Sequence, residues 1–423
     1  MGFIKSYGDY IKKNIDNPEK ASKLLLKGFS LEKLAVSKFK RKDMPPSLNY
    51  LNRLCLDFII KPMKYPEKSS IVTIFSPVEL LHAMGIHPLL VEGFSSFLSG
   101  AECEDIFVDH AEKIGISDTL CSYHKAFIGA VDLEVVPKSK FIITSSMICD
   151  ANLNTARHIS EKYGIPYYYL DIPYEYNEYT KEYVVSQLHE IVEFMQGIMN
   201  TKFDLDKFKE VMQIENETRG YIKDFYEKLK YRYFPNTLTI EMFRLFASHL
   251  GIGRCDVRDF YKTQALDIEN YPRYSGKRIL WSHIMPFYSN TLKEYFNFDP
   301  EYQLVACDYN FDTDWKIDYD SPYEALADKF LKNRLNGSFD LKVKNIIDIA
   351  ESFMVDGVIN FCSFGCKECS GGTMLLKNAL KERGIPYLSI DGDGIDRRNA
   401  QEGQIKTRVD AFMEILRGRK VIV

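Results

Sequence analysis

The sequence predicts an α/β protein with two doubly wound parallel sheets, of the Rossmann or flavodoxin-like class, together with a helical N-terminal arm and a helical insertion. Two stretches of the chain alternate short β-branched runs with helical segments, which is typical of a parallel sheet covered by helices on both faces. Each stretch ends in a similar segment, GIPYYYLD at 164–171 and GIPYLSID at 384–391, so we expect two similarly built domains. At 423 residues the chain is long enough for more than one hydrophobic core.

Residues 1–68 are predicted to form the helical arm. Apolar residues between Leu24 and Leu34 recur near helical spacing, and the pair Pro45 and Pro46 interrupts the pattern. The first α/β domain is predicted over residues 69–180. Its strands are expected in four segments: IVTIF at 71–75, HPLLVEG at 87–93, FIITSS at 141–146 and IPYYYLDIP at 165–173.

Residues 181–265 are predicted to be a helical insertion or linker. The segment SQLHEIVEFMQGIM at 186–199 carries apolar residues three and four positions apart, which is typical of an amphipathic helix. The second α/β domain is predicted over residues 266–423. Its strands are expected in four segments: RILWSHI at 278–284, YQLVACDY at 302–309, DGVINF at 356–361 and IPYLSIDGDG at 385–394.

The composition argues against nucleic-acid and membrane partners. The net charge of -4 has no strong sign, and no apolar run approaches the roughly 20 residues that cross a bilayer. The first residues lack the pattern of a signal peptide, so we expect a cytoplasmic location. Thiols stay reduced there, and the nine cysteines therefore indicate metal binding or catalysis rather than a disulfide framework.

Several cysteines follow predicted strands, at the edge where open parallel sheets bind ligands. Cys149 follows FIITSS, Cys362 follows DGVINF, and Cys307 lies at the end of YQLVAC. Cys121 begins a predicted helix, whose N-terminus favours a thiolate. We therefore expect these side chains to gather in a cleft between the two domains.

The densest group of cysteines lies in FCSFGCKECSGG at 361–372, where Cys362, Cys366 and Cys369 have C-x3-C-x2-C spacing. Thiolates this close together predict a metal site. Iron-sulfur is favoured over zinc, because structural zinc sites usually pair two short cysteine knuckles and only one is present. We expect Cys55 and Cys255 to pack in the core. Cys103 could reach the cleft or lie in a loop.

Five segments of the chain resemble a known superfamily: SPVELLHAMGIHPLLVEG at 76–93, LCSYHKAFIGA at 120–130, the pair Cys149 and Asp150, LDIPYEY at 170–176, and DGDGIDRRNAQEGQIKTRVDAFMEIL at 391–416. They are similar to the 2-hydroxyacyl-CoA dehydratase D-component and benzoyl-CoA reductase superfamily. The resemblance implies a [4Fe-4S] cluster in an interdomain cleft, held at the matching positions Cys121, Cys149 and Cys362. It also implies a separate ATP-hydrolysing iron-sulfur activator protein, and this sequence has no G-x4-G-K-S/T phosphate loop of its own.

Cys366 and Cys369 are additional to that three-cysteine pattern and favour the double-cubane branch of the superfamily. That branch implies a homodimer that reduces a small molecule at an [8Fe-9S] cluster. Its six ligands here would be Cys121, Cys149, Cys362, Cys366 and Cys369, with Cys307 preferred to Cys103 as the sixth. The predicted function is therefore reduction driven by ATP through the partner. The alternatives are a 2-hydroxyacyl-CoA dehydratase subunit with a single [4Fe-4S] cluster, and a protein that only stores or relays electrons.

Polar side chains that follow Cys121 are candidate proton donors. We predict His124 and Lys125 as catalytic residues because they would lie close to the cluster, although a helix also carries polar residues for solubility. The acidic residues near the C-terminus are expected to form a turn and a helix cap rather than a divalent-metal site: Asp391, Asp393, Asp396 and Glu402.

Overall fold

The computed structural model describes residues 3–41, 44–312 and 316–418. Its N-terminal arm consists of three helices: α1 (Phe3–Lys12), α2 (Pro18–Lys38) and α3 (Pro46–Lys64). Helix α2 begins after Asn17, whose side chain accepts the Lys20 backbone N–H and so caps the helix. The buried residues of α2, which packs against α3, are Ala21, Leu25 and Phe29.

The first sheet is built from four strands: β1 (Ser69–Val72), β2 (His87–Leu90), β3 (Phe141–Ser145) and β4 (Tyr167–Leu170). All pairings are parallel, and the strand order is β2-β1-β3-β4. Every residue of β1 and β3 is buried, as expected where helices cover both faces. The helices of this region are α4 (Val78–Ala83), α5 (Val91–Gly100), α6 (Glu104–Lys113), α7 (Ser122–Asp132) and α8 (Ala151–Tyr163).

Four helices separate the two sheets in sequence: α9 (Glu178–Met199), α10 (Leu205–Leu229), α11 (Leu238–His249) and α12 (Cys255–Asp267). Helix α9 begins with a reciprocal capping box between Asn177 and Thr180. Helix α10 packs mainly against α12 and also contacts α4, so these helices lie against the first sheet's own helices.

The second sheet is built from β5 (Lys277–Ser282), β6 (Tyr302–Cys307), β7 (Gly357–Ser363) and β8 (Tyr387–Gly392). Its pairings are again parallel, in the order β6-β5-β7-β8. The helices of this region are α13 (Asn290–Phe296), α14 (Pro322–Leu331), α15 (Phe339–Ser352), α16 (Lys367–Ser370), α17 (Thr373–Glu382) and α18 (Glu402–Arg417).

The predicted fold class is confirmed, because the described residues form two four-stranded parallel sheets with N-terminal helices. The two sheets share one strand order, and the similar segments at 164–171 and 384–391 supply the edge strands β4 and β8. Several predicted strands end up to three residues earlier than expected: IVTIF ends at Val72, IPYYYLDIP at Leu170, and HPLLVEG at Leu90. Val91 starts α5 because the chain there buries Phe94 and Leu98 at helical spacing. The domain boundaries at 69, 181 and 266 stay predictions.

A buried group of charges joins α4, α10 and α14. Lys329 on α14 pairs with Glu79 on α4, and its Nζ lies 2.9 Å from Glu215 Oε1 on α10. Arg219 Nη2 lies 2.6 Å from the same Glu215 oxygen. Neither carboxylate side chain has any exposed surface, so each needs its partner to remain charged. No helix within the described ranges is long and apolar enough to cross a membrane.

Candidate functional site

Cys121 and Cys149 are neighbouring thiols on the side of the first sheet. Cys121 directly precedes α7, and Cys149 follows β3 after a turn in which Ile148 has a φ of 68°. Burial raises the pKa of Cys121, and the nearby thiols of Cys366 and Cys149 raise it further. The two thiols predicted from strand and helix ends therefore lie within electrostatic reach of each other and of Cys366.

Residues 362–369, which we call the cysteine loop, carry three more thiols at the end of β7. Cys362 lies within β7, Cys366 directly precedes α16, and Cys369 lies within α16. The backbone N–H of Ser363 donates to Cys369 Sγ at 3.0 Å. An N–H donor of this kind stabilises negative charge on sulfur, as metal-bound thiolates require.

Cys366 is a loop thiol whose charge affects the two thiols on the side of the first sheet. Burial is the largest cause of the raised pKa values of Cys121 and Cys149, and the pKa of Cys149 reaches about 12. A negative charge on the Cys366 thiol raises both pKa values further. The hydrogen bond with Cys369 lowers the pKa of Cys366, and the nearby His283 lowers it further. Gly365, directly before Cys366, lies against the backbone of Cys121, so the cysteine loop approaches the start of α7.

Cys362, the position that the family resemblance implies as a ligand, has a different set of contacts. Asn360 Nδ2 donates to Cys362 Sγ at 3.3 Å, and the hydroxyl of Ser389 lies 3.2 Å from that sulfur. Its thiol also lies 3.5 Å from the carbonyl oxygen of Cys369. Cys362 is therefore adjacent to the other loop cysteines, and its role as a ligand stays a prediction.

His283 belongs to the site although it is not among the residues predicted from the sequence. Its Nε2 lies 3.2 Å from Cys366 Sγ, and this nitrogen and the sulfurs of Cys366 and Cys369 all lie within 4.8 Å of one another. The residue directly follows β5, at the same edge of the sheet as the predicted cysteines. The strand-end rule that was applied to cysteines would have found it if histidines had been included.

Cys307 and Cys103, the candidates for a sixth ligand, are both fully buried. The Cys307 thiol donates to the His283 carbonyl at 3.1 Å, and the Cys103 thiol donates to the Leu98 carbonyl at 3.6 Å. Cys307 therefore supports the backbone of a site residue, while the described contacts of Cys103 involve no other cysteine. Their roles as ligands stay predictions.

The two cysteines expected to pack in the core differ. Cys55 is fully buried, and its thiol lies 3.5 Å from the Phe243 carbonyl. Cys255 is exposed, so the packing prediction is wrong for it. The reason is its position as the first residue of α12, whose buried face begins at Val257.

Of the two predicted catalytic residues, His124 contacts a cysteine. Its Nε2 lies 3.5 Å from Cys149 Sγ and its Nδ1 lies 2.8 Å from Thr155 Oγ1. Burial lowers the pKa of His124 to about 4, so the ring is neutral at pH 7. Lys125 Nζ instead lies 2.7 Å from Glu112 Oε1 and donates to the Asp118 carbonyl at 2.7 Å, which is a structural arrangement. Both catalytic roles stay predictions.

The acidic segment near the C-terminus forms a hydrogen-bonded turn, as expected. Asp393 Oδ1 accepts the backbone N–H groups of Ile395 and Asp396. Asp393 Oδ2 accepts the Ser122 hydroxyl at 2.6 Å. The turn therefore holds the first residue of α7, directly after Cys121, against the second sheet.

A cavity of about 280 Å³ lies beside the cysteine loop. Its polar wall comes from Tyr309, Lys342, Lys367 and Glu368, and its apolar wall from Ile148, Leu335, Phe339 and Leu375. Tyr309 and Lys342 both contact His283, so the cavity begins next to the residue that contacts Cys366. A small molecule in it would lie beside the thiols.

The donor set fits an iron-sulfur cluster. Soft thiolate ligands select iron-sulfur clusters, copper(I) or zinc, and these thiols come from three separate segments rather than from paired zinc knuckles. Cys121, Cys362 and Cys369 are each less than a tenth exposed, which keeps bulk water away from sulfur. Backbone and side-chain N–H groups point at two of the sulfurs.

The comparisons with known proteins all indicate the same family. The profile described as 2-hydroxyglutaryl-CoA dehydratase, D-component, matches residues 73–416. The chain is 25% identical over 370 residues to the (R)-phenyllactyl-CoA dehydratase alpha subunit of Clostridium sporogenes, covering 81% of this chain and 88% of that protein. It is 25% identical over 382 residues to the alpha subunit of the lactoyl-CoA dehydratase of Anaerotignum propionicum, with coverages of 81% and 89%. It is 23% identical over 344 residues to one of the subunits of the benzoyl-CoA reductase of Thauera aromatica, with coverages of 72% and 78%. The resemblance seen in the sequence is therefore confirmed at the level of the family, and the chain belongs to the 2-hydroxyglutaryl-CoA dehydratase D-component family.

Proposed function

We propose that this chain is one subunit of an iron-sulfur enzyme that removes water from a 2-hydroxyacyl-CoA thioester. The observation that carries the proposal is the close approach of Gly365, directly before Cys366, to the backbone of Cys121, in a protein whose relatives are named dehydratase subunits. We propose the thiols of Cys121, Cys149 and Cys366 as the ligands of a [4Fe-4S] cluster. Cys362, the position implied by the resemblance, is the alternative third ligand from the same loop.

The cluster would supply single electrons at low potential. The chain's own residues bury Cys121, leave Cys149 and Cys366 partly exposed, and present the neutral imidazole of His124 beside Cys149, where it can hold or move one proton. The sequence has no phosphate loop, so we propose that ATP is hydrolysed on a separate iron-sulfur activator protein.

The cavity beside the cysteine loop suits the acyl end of the substrate. A volume of about 280 Å³ is at the lower end of small-ligand sites, and the CoA portion would have to remain outside it. Apolar residues such as Phe339 and Leu375 would contact an aliphatic or aromatic acyl chain, while Lys342 supplies a hydrogen-bond donor. The proposal is thus a substrate with a short or medium acyl group.

Two of the relatives support a working enzyme with a second, different subunit. Both an alpha and a beta subunit of (R)-phenyllactyl-CoA dehydratase match this chain, the beta subunit at 22% identity over 380 residues. We therefore propose a heteromeric enzyme as the first arrangement to test.

The experiment is anaerobic co-purification with the second subunit and an activator, followed by metal analysis and an assay. We expect about four irons and four sulfides on this chain, by the stoichiometry of a single cubane. We also expect unsaturated acyl-CoA to form from a 2-hydroxyacyl-CoA when ATP and a reductant are present. Absence of iron from the purified chain would contradict the proposal, as would iron without dehydration of any of a panel of acyl-CoA substrates.

The second candidate is the double-cubane reductase, and the extra thiols of Cys362 and Cys369 specifically favour it. Both lie on the loop that carries Cys366, so they are close enough to bind a second cubane. This candidate requires about eight irons per chain, a homodimer, and ATP-driven reduction of a small unsaturated molecule without a second subunit. Iron and sulfide analysis of the chain purified alone distinguishes it from the dehydratase.

A further inference from the structure

His283 has a strained backbone that its neighbours hold in place. Its φ of 75° lies in the left-handed region, which few non-glycine residues adopt. Its N–H donates to Asp308 Oδ1 at 2.7 Å, and its carbonyl accepts from Cys307 Sγ at 3.1 Å. Strain of this kind persists where the surrounding structure fixes it, and it concentrates at functional sites. The backbone thus aims the imidazole at the cysteine loop.

The partners of the ring identify its tautomer. Nδ1 lies 2.6 Å from the Tyr309 hydroxyl and 3.3 Å from Lys342 Nζ. An ammonium group can only donate hydrogen bonds, so we assign Nδ1 as the acceptor and place the ring proton on Nε2. Nε2 lies 3.2 Å from Cys366 Sγ, and its N–H therefore faces the sulfur.

We propose that His283 is a positioning residue that donates an N–H···S hydrogen bond to Cys366 and thereby raises the reduction potential of the cluster. The inference rests on the proposed function, in which Cys366 is a cluster ligand. A donor stabilises the reduced cluster more than the oxidised one, because the reduced form carries more negative charge on its sulfurs. The buried ammonium of Lys342, which also donates to the Glu368 carbonyl at 2.9 Å, orients the ring from its opposite nitrogen.

A role as a metal ligand is the competing interpretation of the same geometry. The close approach of Nε2 to the sulfurs of Cys366 and Cys369 would suit three ligands of one ion. Ligation through Nε2 requires a free lone pair there, and the ring proton would then have to lie on Nδ1. The ammonium of Lys342 beside Nδ1 opposes that tautomer, so hydrogen-bond donation is favoured.

The test is the variant His283→Asn. Asparagine tolerates the left-handed conformation better than most residues, and its shorter side chain ends before the sulfur. We expect unchanged iron content in the anaerobically purified protein. At a fixed solution potential the oxidised-to-reduced ratio of the cluster should rise about tenfold, which for one electron is a shift of about 59 mV to more negative values. Redox titration followed by electron paramagnetic resonance measures it.

A second variant and a control keep the test decisive. Tyr309→Phe removes one partner of Nδ1 and should shift the potential in the same direction by a smaller amount. His110→Asn is the matched control, because His110 pairs with Asp132 and should leave the potential unchanged.

Four results have distinct meanings. An unchanged potential in His283→Asn with full iron overturns the inference, and loss of iron overturns it in favour of a ligand role. If the asparagine variant does not fold, an unchanged potential in Tyr309→Phe overturns the inference instead. A wild-type chain without any cluster contradicts the proposed function itself, so the two failures are distinguishable.

Discussion

Gly365 lies directly against the backbone of Cys121, although the two residues come from the two different α/β stretches. A β-carbon at position 365 would lie 2.7 Å from the Cys121 nitrogen and 2.6 Å from the carbonyl oxygen of Thr119. The φ of Gly365 is 74°, which also favours glycine. The missing side chain therefore allows the cysteine loop to approach the start of α7, and it brings Cys366 beside Cys121.

We expect Gly365→Ala to separate the two halves of the proposed cluster site. The added methyl group would collide with backbone atoms that cannot rotate away, and the left-handed conformation would add strain of about 1 to 3 kcal/mol. The variant should lose most of its iron, as measured by metal analysis after anaerobic purification. Gly85→Ala is the matched control, because Gly85 has a φ of 67° and nothing within 4 Å of an added β-carbon. Equal iron contents in the two variants would contradict the expectation.

Cysteine substitutions should rank the thiols of the site. We expect Cys366→Ala to lose its iron, because its sulfur interacts with Cys121 and Cys149. Cys307→Ala should keep its iron, since that thiol donates to the His283 carbonyl. The measurement is the number of irons and sulfides per chain in each purified variant. A Cys307→Ala variant that loses half of its iron would support Cys307 as a ligand of a second cubane.

His124→Gln should slow turnover while the cluster remains. The His124 ring is the polar group next to Cys149 and is neutral at pH 7, so it would act by taking up a proton, and loss of a positioned acid–base group costs about 10² to 10⁴ in rate. The measurement is the rate of acyl-CoA conversion per iron, compared with the wild type. A rate within a factor of two or so of the wild type would exclude a role in proton transfer.

Lys125→Met is the companion variant. Its ammonium pairs with Glu112, so we expect lower stability, by about 1 to 3 kcal/mol, with turnover per folded molecule retained. A normal unfolding midpoint with slow turnover would instead support Lys125 as the proton donor that the sequence suggested.

Glu79→Gln should change how stability depends on pH. Burial raises the pKa of Glu79 to about 7, from an ordinary value of 4.5. The folded state therefore holds a proton that the unfolded state releases, and stability falls as pH rises from about 4.5 to about 7. Glutamine cannot ionise, so the variant lacks this loss. Between pH 5 and pH 8 its free energy of unfolding should fall by about 1 to 3 kcal/mol less than that of the wild type.

The matched control for Glu79→Gln is Glu215→Gln. Burial acts to raise the pKa of Glu215, but Lys329 and Arg219 outweigh it and hold the pKa at about 2. The charged Glu215 therefore stabilises the folded protein above about pH 4.5, and this stabilisation is lost as the pH falls below that value. The Glu215→Gln variant should consequently be less stable than the wild type at pH 8. Urea unfolding at both pH values measures the two effects. Parallel pH curves for the wild type and Glu79→Gln would refute the assignment.

The fold could be predicted because local patterns and tertiary structure agree. Buried parallel strands leave continuous β-branched runs, and glycine marks the helix end before β4, where Gly164 adopts the left-handed conformation. The strand assigned through Gly93 failed because Val91 and Leu90 suit a buried strand or a buried helix equally well. Periodicity cannot separate the two over a short apolar run.

The site could be predicted only in part. The end of a strand before Cys149 and the start of a helix after Cys121 could be predicted, because both positions depend on secondary structure that local patterns indicate. The approach of the cysteine loop to Cys121 depends on the turn at Gly365, which spacing in the sequence does not reveal. His283 was missed because a single histidine after a strand is usually a packed residue, and its significance depends on Cys366 and Lys342, which are distant in sequence.

The division of the proposed ligands between two sheets has a consequence for biosynthesis. Cys121 and Cys149 leave the ribosome 245 and 217 residues before Cys366, which at about 5 to 20 residues per second leaves them unpaired for roughly 11 to 49 s. A cubane held by all three can be inserted only after translation has passed the cysteine loop and both sheets have closed around it. Oxygen can therefore damage the nascent chain by oxidising its first two thiols, before any cluster exists to be destroyed.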